Sequence, residues 1–251
     1  MTDLHIESPQ NPRIKAWRAL RSRSERDTTH TFLVEGERET LRGAAHLDLV
    51  TSIVRVDRSD VELPNRVTVS SKAFDRLSAR QNPDGVAAVF RTPVHHLDAL
   101  ALGETSLVLV ADGVEKPGNI GAMIRTADAF GAAFVGASLG TDLYNPNVVR
   151  SAQGSLFAIP TASAPRADVI AWTAAHGTVV VTTPDADRSI WEVDFTEAIS
   201  IVVGSEHAGV DASWLHVAEG CRIPTRGNAD SLNASVAAAV FLAESARQRS
   251  A

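Results

Sequence analysis

Three segments of this chain carry polar side chains that apolar packing does not require. In NIGAMIRTADAFGA, Asn119 stands before a helical pattern and Arg125 follows six residues on. Asn119 is read as a helix N-cap accepting a backbone N–H. Arg125 lies among Ile124, Ala127 and Ala129, where a lone guanidinium is costly to bury without an anion. Phosphate oxygens would match its forked donors. In GSEHAGV, Glu206 sits between Gly204 and Gly209. Glycine there permits positive φ or close approach of a ligand, although an ordinary strand-to-helix turn uses it too. In IPTRGNADSLNASVAAAVFLAE, Ser231, Asn233 and Ser235 crowd the mouth of an Ala-rich helix. One of them caps it, and three exceed that need. The small face of Ala237, Ala238 and Ala239 suits close packing, a second subunit included.

The commoner signatures fail. ADGVEKPGNIG has Asn119 and Ile120 where a phosphate loop needs Lys and Ser/Thr. No strand is followed by a dinucleotide G-x-G-x-x-G. Ser205 lacks the G-x-S-x-G spacing of a nucleophile elbow. The histidines, His95, His96 and His207 among them, lack zinc-ligand spacing, and Cys221 has no second cysteine, so no metal is expected.

The elements that would position these residues follow the chain. After residue 104, SLVLVAD, AAFVGA, SLFAIP, TVVVTTP, ISIVVGSE and CRIPT read as strands alternating with helices. The last helix is SLNASVAAAVFLAESARQR. Val-rich runs between helices predict an α/β fold with a parallel sheet covered on both faces. Ligands of such sheets bind at the carboxyl ends of the strands, where all three polar segments fall. TPVHHLDALALGE marks a break, giving domains at 1–98 and 99–251. The first begins with NPRIKAWRALRSR, a helix capped by Asn11 with Pro12 in its first turn. A small α/β module follows it.

The chain has 251 residues and a net charge of −6, which by itself argues against a nucleic-acid partner. The acidity lies in the C-terminal part. Arg13, Lys15, Arg18, Arg21, Arg23 and Arg26 face one acid, Glu25, in a basic helical arm. A solvated helix face and a phosphate-tracking element both fit that run. No apolar stretch reaches the ~20 residues of a membrane span. One cysteine and no apolar leader point to the cytoplasm.

Taken in order, the three segments resemble the motifs of the SpoU/TrmH family of RNA ribose 2′-O-methyltransferases, in the SPOUT superfamily. YNPNVVRSAQGSLFAIP resembles the family's Arg-Ser-x-Gly segment at Arg150, Ser151 and Gly154. SPQNPRIKAWRALRSRSERDTTHTFLVEG is similar to the arm and L30e-like substrate-binding domain of many members.

The resemblance implies a C-terminal SPOUT domain tied in a deep trefoil knot, S-adenosylmethionine as cofactor, a homodimer and an RNA substrate. Topology rules alone would have given an unknotted sheet. It implies cofactor contacts at Gly204, Ile223 and Leu232. Arg125 would contact the target phosphate or ribose, and Asn119 would orient Arg125 or the ribose. Glu206 would hold the active-site loops, with Ser231, Asn233 and Ser235 fixing the cofactor loop and substrate phosphate. Arg13, Lys15, Arg18, Arg21, Arg23 and Arg150 would contact RNA. The separate N-terminal module favours 23S ribosomal RNA, a narrower version being an enzyme that confers antibiotic resistance. Transfer RNA is the alternative substrate, and a non-catalytic RNA-binding or ribosome-assembly protein the alternative class.

Overall fold

The computed structural model of the chain describes residues 4–228 and 230–250. The chain forms two compact units. One runs to Val94 and takes in Tyr144–Ala158; the other holds His95–Leu143 and the chain from Ile159 on. The excursion of Tyr144–Ala158 into the first unit differs from a simple cut at residue 98.

In chain order the first unit begins β1 (Leu4–Ile6), α1 (Pro12–Ala19), α2 (Arg23–Thr29), β2 (Thr31–Glu35) and α3 (Glu37–His46). It continues β3 (Leu49–Arg55), β4 (Arg66–Val69), α4 (Ser71–Leu77) and β5 (Val86–Arg91). Its mixed sheet has the order β1-β4-β3-β5-β2. Asn11 caps α1, its Oδ1 accepting from the Arg13 N–H at 2.9 Å, with Pro12 as first residue. The basic run does not form a detached arm. Ile14 is fully buried and Leu20 is 4% exposed, in one core with Ile53, Phe74 and Leu77. Each such side chain contributes ~1.5–3 kcal/mol. Arg26 is buried too, donating to the carbonyls of Leu20 and Arg21 at 2.9 Å each. That cation closes the end of α1.

The chain continues β6 (Leu107–Asp112), α5 (Pro117–Ala129), β7 (Ala133–Ala137), α6 (Pro146–Ala152) and β8 (Thr161–Ala164). Then come α7 (Arg166–Ala175), β9 (Thr178–Thr182), β10 (Ile199–Gly204), β11 (Glu219–Cys221) and α8 (Ala234–Arg249). Of these, α6 belongs to the first unit. Tyr144 and Phe157 on either side of it pack on Phe32, ring centroids 4.1 and 6.0 Å away.

The second unit's sheet, β11-β9-β10-β6-β7-β8, is parallel throughout. Every residue of β6, β7 and β10 is buried, which explains their unbroken apolar runs. Two expected elements differ. SLFAIP is not a strand: Ser155–Phe157 makes a 3-10 turn after Gly154, whose φ is +91°, and pairing starts at Thr161. DASWLHVAEG, whose pattern between the strands ISIVVGSE and CRIPT reads as a helix, gives only the 3-10 turn Ala212–His216, which sinks Trp214 into the core.

Candidate active site

The second unit gathers the three polar segments at the carboxyl end of its sheet. β10 ends at Gly204, and Glu206 follows in the next loop. α5 opens after β6, and α8 packs along α5. Asn119 is not the N-cap of α5; Lys116 holds that position and Pro117 is the first residue. Proline is preorganised for that first turn, so the helix begins three residues earlier than its polar pattern suggests. Asn119 is thereby freed to act sideways. Its Nδ2 donates to Glu206 Oε1, and its Oδ1 accepts from Asn233 Nδ2 at 3.4 Å. Lys116 Nζ lies 3.7 Å from the same Glu206 oxygen. The Glu206 side chain is only 13% exposed, so these two donors offset the cost of withdrawing a carboxylate from water. Lys116 escaped the sequence reading; its signal was a cation beside a helix-starting proline.

Asn233 is the N-cap of α8, its Oδ1 accepting from the Ser235 N–H at 3.0 Å and Ser235 Oγ at 2.7 Å. One asparagine thus caps α8 and reaches α5. Ser231 is exposed and is not drawn into that network. Ala238 is buried within the chain, whereas Val236 is 47% exposed.

The Arg125 side chain is exposed and makes no hydrogen bond or ion pair with the described residues. Burial therefore does not demand an anion for it, and Asn119 does not orient it. Its five donors are free for a ligand.

The Gly204–Gly209 loop closes on itself. Ser205 and Gly209 exchange backbone hydrogen bonds of 3.0 Å, and Gly209 has φ +68°. A Cβ on Gly204 would stand 2.1 Å from the carbonyl carbon of Gly209 and 2.3 Å from Val210 N. These glycines are required by the turn itself. A second tie anchors the loop. Asp112, 1% exposed at the end of β6, accepts from Arg166 Nε at 2.6 Å and from the Asp211 N–H at 3.0 Å. Arg166 also reaches Asp211 at 3.2 Å. The sequence reading missed this clamp, although an acid ending an apolar strand announced it.

Ile223 is half-buried just past β11, and Leu232, 38% exposed, precedes Asn233. The backbone groups of residues 223–228 and 230–232 have no hydrogen-bond partner among the described residues. Free N–H and C=O groups beside the sheet's carboxyl edge suit an adenine and a ribose, so this loop fits S-adenosylmethionine. Among the described residues no group of His, Cys, Asp and Glu is placed to hold a metal ion, and no helix is long and apolar enough to cross a membrane.

In the first unit, Arg13, Lys15 and Arg23 are exposed, and Arg18 and Arg21 are half-buried. Arg23 pairs with Asp27 at 3.6 Å. Arg150 is exposed on α6 in that same unit.

Residues 106–243, which hold the whole Asn119–Glu206–Asn233 constellation, match the model of the SpoU rRNA Methylase family. The chain belongs to that family. Residues 11–88 of this SpoU methylase match the MRM3-like substrate binding domain. It is 35% identical over 245 residues to the 23S rRNA (guanosine(2553)-2′-O)-methyltransferase RlmP of Bacillus subtilis, covering 94% of this chain and 97% of the relative. It is 31% identical to the 23S rRNA (uridine(2479)-2′-O)-methyltransferase of Streptomyces viridochromogenes, over 96% of this chain and 91% of that one. Its fold matches the crystal structure of the SpoU methyltransferase AviRb from Streptomyces viridochromogenes in complex with the cofactor AdoMet. The TM-score is 0.88 at 31% identity, covering 96% of this chain and 99% of AviRb.

Proposed function

We propose that this SpoU methylase transfers a methyl group from S-adenosylmethionine to the 2′-hydroxyl of a nucleotide in 23S ribosomal RNA, in the cytoplasm. The observation that carries the reading is the joining of Asn119, Glu206 and Asn233, from three separate segments, with Asn119 on the same helix as an Arg125 that is unpaired among the described residues. Two relatives matched over nine-tenths or more of their length are named 23S rRNA ribose 2′-O-methyltransferases, which favours ribosomal over transfer RNA.

S-adenosylmethionine, when bound, supplies an electrophilic methyl on a sulfonium. The chain's part is placement and electrostatics. Gly204, at the end of β10, and Ile223 and Leu232, in the loop after β11, would contact the cofactor's adenine and ribose. Arg125 is suited to grip the target phosphate and to stabilise the oxygen as it loses its proton. A guanidinium holds its protons firmly and is a poor base, so the role of Arg125 is electrostatic. Glu206, held by Asn119 and Lys116, fixes the loop after β10. Asn233 and Ser235 fix the start of α8, and Ser231 is left free to meet the substrate phosphate. We read the enzyme as a homodimer, supported by Leu232 and Val236, which stay exposed beside the site.

The test is the chemical position of the methyl. RNA labelled by the enzyme and hydrolysed in alkali should yield label in resistant dinucleotides, because a 2′-O-methyl blocks cleavage. Label recovered only in mononucleotides would put the methyl on a base and overturn the reading.

A further inference from the structure

The first unit contains a cavity of about 380 Å³ between α1 and α4 whose wall carries four cations and no carboxylate. Lys15, Arg18, Arg21 and Arg76 line it, with Ile14 and Ser22. Lys15 and Arg18, three residues apart, share one face of α1. Arg76 comes from α4, far away in sequence, and was not among the expected RNA contacts. Arg13 and Arg23, equally basic in sequence, do not line the cavity. The linear run of cations is thus sorted by the fold into a concave group and a scattered remainder.

The concave group is electrostatically unfinished. Arg21 donates to the Leu77 carbonyl at the end of α4, but its Nε is buried without a hydrogen-bond partner among the described residues. Burial holds the Arg21 guanidinium below its ordinary value; the Glu35 carboxylate opposes this, while Arg18, Arg150 and Arg76 push it further down. Glu35 is itself engaged by the Ala79 N–H at 3.1 Å. A concave wall of one charge sign focuses its field on whatever enters. Such a cluster is relieved by an anion with several acceptor oxygens, which forked guanidinia meet best.

We infer that this cavity is a phosphodiester site for structured RNA, in which Lys15, Arg18, Arg21 and Arg76 hold the backbone of the substrate away from the methylated nucleotide. The inference rests on the ribosomal-RNA reading above. Two observations favour RNA over a small anion. The cavity lies wholly within the unit, and its four cations fall inside residues 11–88, the stretch that matches a substrate-binding domain. Exposed Lys15 and Arg76 also leave its rim open to a long polymer.

The test compares two double variants of the full-length protein binding an unmodified 23S rRNA transcript across a salt series. Arg18→Gln/Arg76→Gln removes cavity charge and spares Arg21, which also holds Leu77. Arg38→Gln/Arg91→Gln removes the same charge from the same unit, where the side chains meet Glu39 and Asp48. The cavity variant should bind ~10-fold or more weakly at fixed salt, with a salt slope shallower by about 2. The control should stay within ~2-fold of wild type. Restoring charge as Arg18→Lys/Arg76→Lys should recover most of the slope. Equal losses in both doubles, or none in either, would overturn the site. Methyl transfer by the wild type to the same transcript, measured in parallel, reports separately on the ribosomal-RNA reading.

Discussion

At the residue scale, Arg125 and Asn119 show how the same segment yields one inference from chemistry and another from geometry. In the sequence Arg125 reads as a cation that needs an anion, and its side chain stands exposed and unpaired among the described residues. Replacing it should therefore remove little folded-state interaction and much transition-state interaction. Arg125→Ala is expected to lower the turnover rate by about a hundredfold or more while cofactor affinity and melting temperature hold. Turnover near wild type, followed with labelled cofactor, would remove Arg125 from the reaction. Asn119 was legible as polar and positioned, but not in its role. Its type suits an N-cap, and the competing signal, Pro117, decides the helix start instead. The contacts of Asn119 with Glu206, 87 residues on, and with Asn233, 114 residues on, are products of tertiary folding that local spacing cannot encode.

At the element scale, the buried strands were legible because β6, β7 and β10 are covered on both faces and read as continuous apolar runs. Short irregular pieces were not. Phe157 looks like a strand residue, yet its ring is spent on Phe32 and Phe90, which holds Ser155–Phe157 in a 3-10 turn. The loop after β10 depends on Gly204 for closeness, not for conformation. Gly204→Ala must push back the Gly209–Val210 backbone, at ~1–3 kcal/mol. Its melting temperature should fall and its affinity for S-adenosylmethionine should drop ~10-fold; a binding isotherm that overlays the wild type would show that the loop yields freely.

β8 carries a pH-dependent contact of its own. His95 meets the Thr161 carbonyl through Nδ1 at 2.8 Å, and burial lowers its pKa below 6.5, with that hydrogen bond opposing the shift. The folded state then prefers neutral His95, while the unfolded chain takes up a proton below 6.5. Stability from this source is full above that value and is lost as pH falls toward the folded pKa. The drop in melting temperature from about pH 7.5 to about pH 5.5 should be larger in wild type than in His95→Gln. Equal drops would mean that His95 contributes nothing to acid sensitivity.

At the scale of the whole molecule, the α/β class was legible from patterning. The excursion of Tyr144–Ala158 was not, because it is decided by aromatic packing on Phe32. The same holds for the basic run, whose Ile14 and Leu20 anchor it in the core and make a supposed arm part of the first unit. The trefoil knot that the resemblance implies concerns chain threading, on which neither composition nor strand periodicity bears. The functional proposal assigns RNA binding to the first unit and cofactor binding, with Arg125, to the second. The measurement that tests this most directly is transfer of labelled methyl from S-adenosylmethionine to unmodified 23S rRNA and, separately, to unmodified bulk transfer RNA. The account predicts label in the ribosomal RNA, at one nucleotide and on its 2′-oxygen. Label confined to transfer RNA, or a protein that fails to bind the cofactor, would contradict it.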